Sequence, residues 1–277
     1  EPCLPLDTSE RVGQLRKLMA EEGVQVYVVP SEDAHSSEMI SPVDERRRFI
    51  SGFTGSTGVA IITQQEAHLF TDGRYWIQAE KQLDSAWTLH KVPLVKNWDA
   101  WLVDESVKQG GLTIGVDPRL VKFAQVASLL KAITETKGSF AFPSRNLVDV
   151  VWGSARPSPI KAPVHIHPLE YAGQSSVEKL TNLATWLAEG GNQASIGGTF
   201  PKGSSYIVNE LDQIAWILNL RGASFPCSRK CPLEKPEVGL LTHITLHVSF
   251  VSFLSRRETT RVKVRCRSLR FFRVAIC

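Results

Sequence analysis

Four prolines, Pro157, Pro159, Pro163 and Pro168, fall within residues 156–168 and divide the chain more firmly than any other feature. Proline fixes φ and removes a backbone donor, so the stretch suits an extended connection rather than a packed element. A chain of 277 residues has room for two domains of ordinary size. The expected division is therefore a first domain over 7–157, a linker over 158–168 and a second domain over 169–222. The remaining residues, 223–277, form a tail of different composition. It carries 11 Lys/Arg against 3 Asp/Glu and four of the five cysteines, whereas the net charge of the whole chain is only +4. A shift in both properties at one point marks a different kind of sequence, expected to fold poorly.

Upstream of the prolines, apolar periodicity alternates between helix and strand. Asp7 and Glu10 stand three apart, as in a capping box, before Val12, Leu15, Leu18 and Met19 at helical spacing. Residues 24–29 read as a buried strand. Residues 59–62 and 67–71 read as two strands of a hairpin turning at 64–66, after a loop punctuated by Gly52, Gly55 and Gly58. Residues 74–83 have helical composition, and Trp98, Trp101 and Leu102 mark a further helix face. Residues 113–116 read as a strand, followed by a helix bearing Val126, Leu129, Leu130 and Ile133. Beyond the prolines, 175–187 and 211–220 are helical in pattern. Such alternation predicts an α/β class. No apolar run reaches the ~18 residues of a membrane-spanning helix. The N-terminal residues lack the basic-then-apolar pattern of a secretory signal, so a cytoplasmic location is expected.

Several segments in fixed order resemble the aminopeptidase P family of Xaa-Pro aminopeptidases. They are 31–38 (SEDAHSSE), 44–58 (DERRRFISGFTGSTG), 71–79 (TDGRYWIQA), 115–118 (GVDP), 146–157 (NLVDVVWGSARP), 171–179 and 211–222 (LDQIAWILNLRG). The resemblance implies a creatinase N-terminal-like fold, a mixed sheet with flanking helices, followed by a second and incomplete domain of the same type. In the intact family enzyme a later domain removes the N-terminal residue that precedes proline. It does so with two manganese ions held by two Asp, two Glu and one His, all downstream of the NLRG segment. The resemblance stops at Gly222, so that domain is expected to be missing. The chain is then inactive alone, with no catalytic, cofactor-binding or metal-binding residues of its own. Its expected role is to shape access for peptides with a penultimate proline and to support a homodimer.

The residues themselves offer weaker candidates. Glu32, Asp33, His35 and Glu38 form the densest carboxylate–imidazole run, yet a capping Asp33 and a solvated Glu38 account for it. The glycine run lacks the Lys-Ser/Thr of a phosphate loop, and Ser56 lacks the G-x-S-x-G frame of a nucleophile. Arg74 is expected to pair with a neighbouring acid. His165-x-His167 permits a metal on one side of an extended strand but has no third ligand in view. His68 and His90 are expected to be packed or at the surface, and Trp76, Trp98, Trp101, Trp152 and Trp216 to fill core. In the tail, Cys227-x3-Cys231 and His243-x3-His247 approximate a zinc finger. Pro232, Pro236 and Gly239 break the region where its strand and helix belong, and neither nucleic acid nor membrane is an expected partner. The competing functions are a catalytically inactive regulatory module and a zinc-dependent nucleic-acid binder.

Overall fold

Each face of a strand in a three-layer α/β structure must meet a helix, and β1 (Val26–Val29) has the sequence for it, since all four residues are apolar and buried. The computed structural model describes residues 5–159, 163–193, 198–203, 205–208, 210–222, 246–251 and 261–262; for 191–193, 198–200, 246–251 and 261–262 only the backbone is described. Contacts divide it into two units, one of residues up to 34 and from 40 to 159, the other of 35–39 and the described residues from 163 onward.

In the first unit, α1 (Ser9–Glu21) precedes β1, and α2 (Arg46–Ser51) leads through the glycine loop into the hairpin β2 (Val59–Thr63) and β3 (Ala67–Asp72). Then follow α3 (Trp76–Gln82), β4 (Trp87–Val92), α4 (Trp98–Gln109), β5 (Thr113–Val116), α5 (Phe123–Glu135), β6 (Ser139–Ala141) and α6 (Leu147–Trp152). The six strands run in the order β4-β3-β2-β1-β5-β6. β2 is antiparallel to both β1 and β3, while β4 lies parallel to β3, β5 parallel to β1 and β6 parallel to β5. The sheet is therefore mixed.

Alternation along β1 sorts the core into two layers. Tyr27 and Val29 pack with Val12, Leu15 and Met19 of α1, Ile50 of α2, Ala79 of α3 and Leu147 and Val148 of α6. Val26 and Val28 face Trp98 and Leu102 of α4 and Leu129 and Ile133 of α5. Burial pushes the Tyr27 hydroxyl far above the usual phenol range; that hydroxyl accepts from the Leu147 backbone N–H at 3.1 Å. Asn146 starts α6 by accepting from the N–H groups of Val148 and Asp149.

Two motifs far apart in sequence are fastened by charge. Arg46 grips Asp149 with a fork, Nε to Oδ1 at 2.7 Å and Nη2 to Oδ2 at 3.1 Å, and its Nη1 donates to Asp44 at 2.9 Å. Arg156 reaches Asp149 at 2.9 Å and the Val43 carbonyl at 2.8 Å. Beside this network Phe49 stacks on Trp152 with centroids 4.5 Å apart.

The second unit comprises β7 (Val164–Ile166), α7 (Leu169–Ala172), α8 (Ser176–Glu189), β8 (Gly191–Gln193), β9 (Gly198–Phe200), β10 (Ser205–Val208), α9 (Leu211–Leu218), β11 (Leu220–Gly222), β12 (Leu246–Val251) and β13 (Arg261–Val262). Leu180, Ala184 and Leu187 of α8 pack with Ile214 and Ile217 of α9 and Val208 of β10.

Several sequence expectations need amendment. No capping box forms at Asp7: Asp7 accepts from the Ser9 N–H, and Glu10 accepts instead from Gln14. The box belongs to Ser175 and Glu178. The later part of the proline segment is not a bare linker, because β7 pairs with β11. Within residues 223–277 two strands are described. β12 pairs with β10 and with β13, consistent with the alternating apolar pattern of Leu246, Val248 and Phe250.

Replacing Arg46 by methionine removes the fork and leaves the shielded Asp149 carboxylate only Arg156 as a charged partner, and is expected to cost about 2 kcal/mol. Urea denaturation measures it, and a loss below about 1 kcal/mol would mean the fork is no more than a surface pair.

Candidate functional site

The glycine loop is held from beneath by a buried cation. Arg47, on the first turn of α2, donates from Nη1 to Ser31 Oγ at 2.8 Å and from Nη2 to the Gly55 carbonyl, and its guanidinium lies 4.8 Å from the Phe53 ring centroid. Ser31 Oγ in turn accepts from the Gly58 N–H at 3.0 Å and donates to the Gly58 carbonyl. Burial lowers the Arg47 pKa to about 10, with Glu32 pulling the other way, so the group stays charged at neutral pH. This crowding explains two glycines. A Cβ on Gly55 would meet the Phe53 and Tyr75 rings, and one on Gly58 would stand 2.9 Å from the Phe70 carbonyl oxygen.

With the loop fixed, Ser56 and Thr57 are left exposed beside the turn that follows β3. Asp72 Oδ1 accepts from the Arg74 backbone N–H at 3.0 Å and from its Nε at 2.9 Å, and Oδ2 accepts from Nη2 at 2.8 Å. The same Nη2 donates to Thr57 Oγ1 at 3.2 Å. Hydrogen bonds from Arg74 hold the Asp72 carboxyl below its ordinary range. Ser56 Oγ and Tyr75 Oη are 2.6 Å apart. Trp76 is anchored through Nε1 to the Thr71 carbonyl at 3.1 Å. The result is a solvent-facing edge of one guanidinium, two hydroxyls, a phenol and an indole. It suits hydrogen bonding and stacking against another surface. Nucleophilic chemistry at Ser56 has no base to support it, since the hydroxyl is paired to a phenol.

Elsewhere in this unit the two strand histidines form a pair. His90 Nε2 lies 3.2 Å from His68 Nδ1, His90 stacks on Phe70 at 4.1 Å, and His68 tilts against Trp101 at 4.7 Å. The Glu66 carboxylate stands 3.2 Å from His68 Nε2, off the direction needed for a hydrogen bond. Burial depresses His68 against the pull of Glu66 and the more distant Glu105. Burial and then the His68 charge bring His90 down to about 4.

The other candidates disperse. Glu32 and Glu38 are exposed, Asp33 is buried and His35 half-buried. Among the described residues no group of three or more His, Cys, Asp or Glu is arranged to hold a metal ion, nor is any helix long and apolar enough to cross a membrane. His165 and His167 lie on and just after β7, opposite Arg221 and near Lys179. Trp98 is core, but Trp216 is 57% exposed because it lies on the outer side of α9 with the Lys179 ammonium 4.1 Å from its ring. Cys227, Cys231 and His243 lie outside the described residues, and His247 lies in β12, of which only the backbone is described. Sequence reasoning missed Arg47 and Tyr75. The available signal was an arginine run placed directly before an apolar turn and a glycine loop.

A mixed six-stranded sheet covered by helices on both faces is the architecture of the creatinase-type N-terminal α/β domains. Residues 11–150 and again 155–229 match family models described as Creatinase/Prolidase N-terminal domain. The chain belongs to that family. The second match runs past Gly222, where the motif resemblance ended. Relatives include a "Probable Xaa-Pro aminopeptidase P" of Coccidioides posadasii, 46% identical over 80% of this chain and 35% of its own length. One of the same name from Aspergillus niger is 45% identical over 80% of this chain and 34% of its own. The chain thus spans about a third of the length of these curated relatives. Among solved structures, the X-prolyl aminopeptidase of Caenorhabditis elegans, described as a cytosolic enzyme with a di-nuclear active site, superposes with a TM-score of 0.73 at 29% identity. That match covers 94% of this chain and 39% of the other.

The histidine pair sets a pH dependence whose sign follows from the lowered values. The unfolded chain takes up protons at these sites near the ordinary imidazole value, ~6.5, and the folded chain resists until His90 approaches about 4. Stability is full above the unfolded value and falls as pH drops through that window. In His90→Gln this loss is expected to shrink, as read from thermal midpoints between pH 7 and pH 4.5. An unchanged slope would remove the pair from the explanation.

Proposed function

We propose that this chain forms the N-terminal, non-catalytic region of a proline-specific metalloaminopeptidase, and that its polar edge around Arg74 narrows the approach of the peptide substrate. The observation that carries this reading is the 46% identity over 80% of the chain to a relative whose name bears the Xaa-Pro aminopeptidase P activity. The substrate of the whole enzyme is then a peptide with a penultimate proline, and the reaction is removal of the residue before it. When bound, two manganese ions would supply the activated water for that hydrolysis. The described residues do not fit such a centre, since no carboxylate–imidazole set among them converges. No catalytic, cofactor-binding or metal-binding role falls to the described residues in this reading.

In this reading 7–157 is the first creatinase-like domain, 158–168 connects it to a second of which 169–222 is part, with β7 of the connection pairing into that second domain, and 223–277 is a tail whose β12 pairs with β10. The whole enzyme works in the cytosol, as the Caenorhabditis elegans enzyme is described to do, and as a homodimer. Rigid attachment suits the Arg74 edge to narrowing an entrance. Asp72 and Thr57 hold the guanidinium in place, so its position costs little further ordering when a peptide passes.

The chain alone, supplied with manganese and a peptide with proline in second position, is expected to release no N-terminal residue. Turnover above the buffer control would overturn the non-catalytic reading. The access role is checked separately. Alanine at the position matching Arg74 in the Coccidioides posadasii relative is expected to alter KM about threefold or more while kcat stays within about twofold. Equal loss in both constants would speak for a different role.

A further inference from the structure

Four basic side chains, His165, His167, Arg221 and Lys179, gather about the β7–β11 ribbon in the second unit. β11 is antiparallel to β7, with Arg221 directly opposite His165. Directly opposed residues share a face, and positions two apart along each strand return to it. His167 and Asn219 follow at the end of this ribbon, Asn219 in the left-handed conformation that closes α9, joined by a 2.6 Å hydrogen bond from the His167 N–H to the Asn219 carbonyl; His165, Arg221 and Lys179 all act on His167. Lys179 enters from α8, donating from Nζ to Asn219 Oδ1 at 2.7 Å and to the Trp216 carbonyl at 2.9 Å. Asn219 is itself pinned by donating to the Gln174 carbonyl at 2.8 Å.

Among the described residues, no acid is seen to act on this cluster. Lys179 is only 6% exposed, and two of its three protons are accounted for by neutral oxygens. Arg221 donates to the Leu220 carbonyl at 2.8 Å. Covered charge normally has a charged partner. Here burial and then Arg221 depress Lys179, while burial and then Arg221, His165 and Lys179 depress His167, so each charged neighbour seen acting on these two groups among the described residues is a cation. The His167 Nδ1 atom is covered and has no hydrogen-bond partner among the described residues. Two described carboxylates of the same unit are held elsewhere, Glu178 by Ser175 and Glu210 by Gln213. The same environment weakens a metal reading of His165-x-His167, because the groups that complete the cluster repel a cation.

The geometry points to an oxyanion site on this ribbon face, in which Arg221, His165, His167 and Lys179 receive a carboxylate or phosphate group. Such an anion supplies the missing countercharge, takes the charge-assisted hydrogen bonds that Arg221 and Lys179 have left to give, and raises the proton affinity of His167. The two sources of this chemistry are a free phosphate-bearing small molecule and a carboxylate of a polypeptide.

The test uses the whole 277-residue chain, titrated with inorganic phosphate and, separately, with N-acetylglycine, against sodium chloride at equal ionic strength. Thermal midpoint and the imidazole NMR signals of His165 and His167 are followed. A saturable rise in midpoint with an apparent Kd of about 1 mM or tighter is expected, together with an upward shift of the His167 titration. Tighter phosphate binding identifies a free phosphate ligand, and tighter N-acetylglycine binding identifies a peptide carboxylate. Arg221→Gln is expected to weaken either at least about tenfold and Arg221→Lys to restore much of it, with far-UV circular dichroism unchanged in both. Because a Lys179 variant risks unfolding, His165→Gln provides the second arm. A response equal to that of chloride, or one untouched by both Arg221→Gln and His165→Gln, overturns the site.

Discussion

The first unit depends on the fork between Arg46 and Asp149, side chains 103 residues apart in sequence. It clamps α2 to α6 at a point where neither helix is long: each has six residues. Helices this short have little stability of their own and need tertiary contacts to persist. The stacked Phe49 and Trp152 rings and the Arg156 contacts close around the same point. With α2 so placed, its next residue, Arg47, reaches the glycine loop, and that loop orients Ser56 and Thr57. Two consecutive arginines thus connect a long-range clamp to the exposed edge at Ser56 and Thr57. The motif pair at 44–58 and 146–157 is in this sense one structural device written in two places.

Legibility in the sequence followed burial on both faces. β1, the β2–β3 hairpin and β5 carry continuous apolar runs, and α5 has a clear helical repeat, so their type and approximate bounds were readable. β4 and β6 sit at the edges of the sheet, where one side of the backbone is unpaired and polar residues such as Thr88, His90 and Ser139 interrupt the pattern. β7 was hidden by its prolines. Pro163 and Pro168 flank a strand of three residues without entering it, which a composition argument cannot distinguish from a free connection. The Asp7 cap misled for a different reason: aspartate satisfies a local N–H equally well two residues on, without a box.

The candidate site was only partly readable. Arg74 and its acid neighbour follow from a D-G-R turn, whereas the Ser56–Tyr75 contact joins positions 19 apart through tertiary structure alone. The histidines illustrate the limit more sharply. Spacing presents His68 and His90, or His165 and His167, as interchangeable pairs. Their surroundings separate them: aromatic rings and a carboxylate enclose the first, and cations surround the second. Burial pushes His68 and His167 toward the neutral form, against the pull of a carboxylate in the first and with the help of neighbouring cations in the second.

The position of β1 carries one more implication. It is the earliest strand in the chain, yet it occupies an inner place, with the antiparallel hairpin on one side and the parallel β5–β6 pair on the other. Within the sheet, those two flanks share no ladder except through these four residues. A nascent chain therefore holds its keystone in hand long before the stones on its second side have been made, and α1 covers only the Tyr27 and Val29 face of that strand.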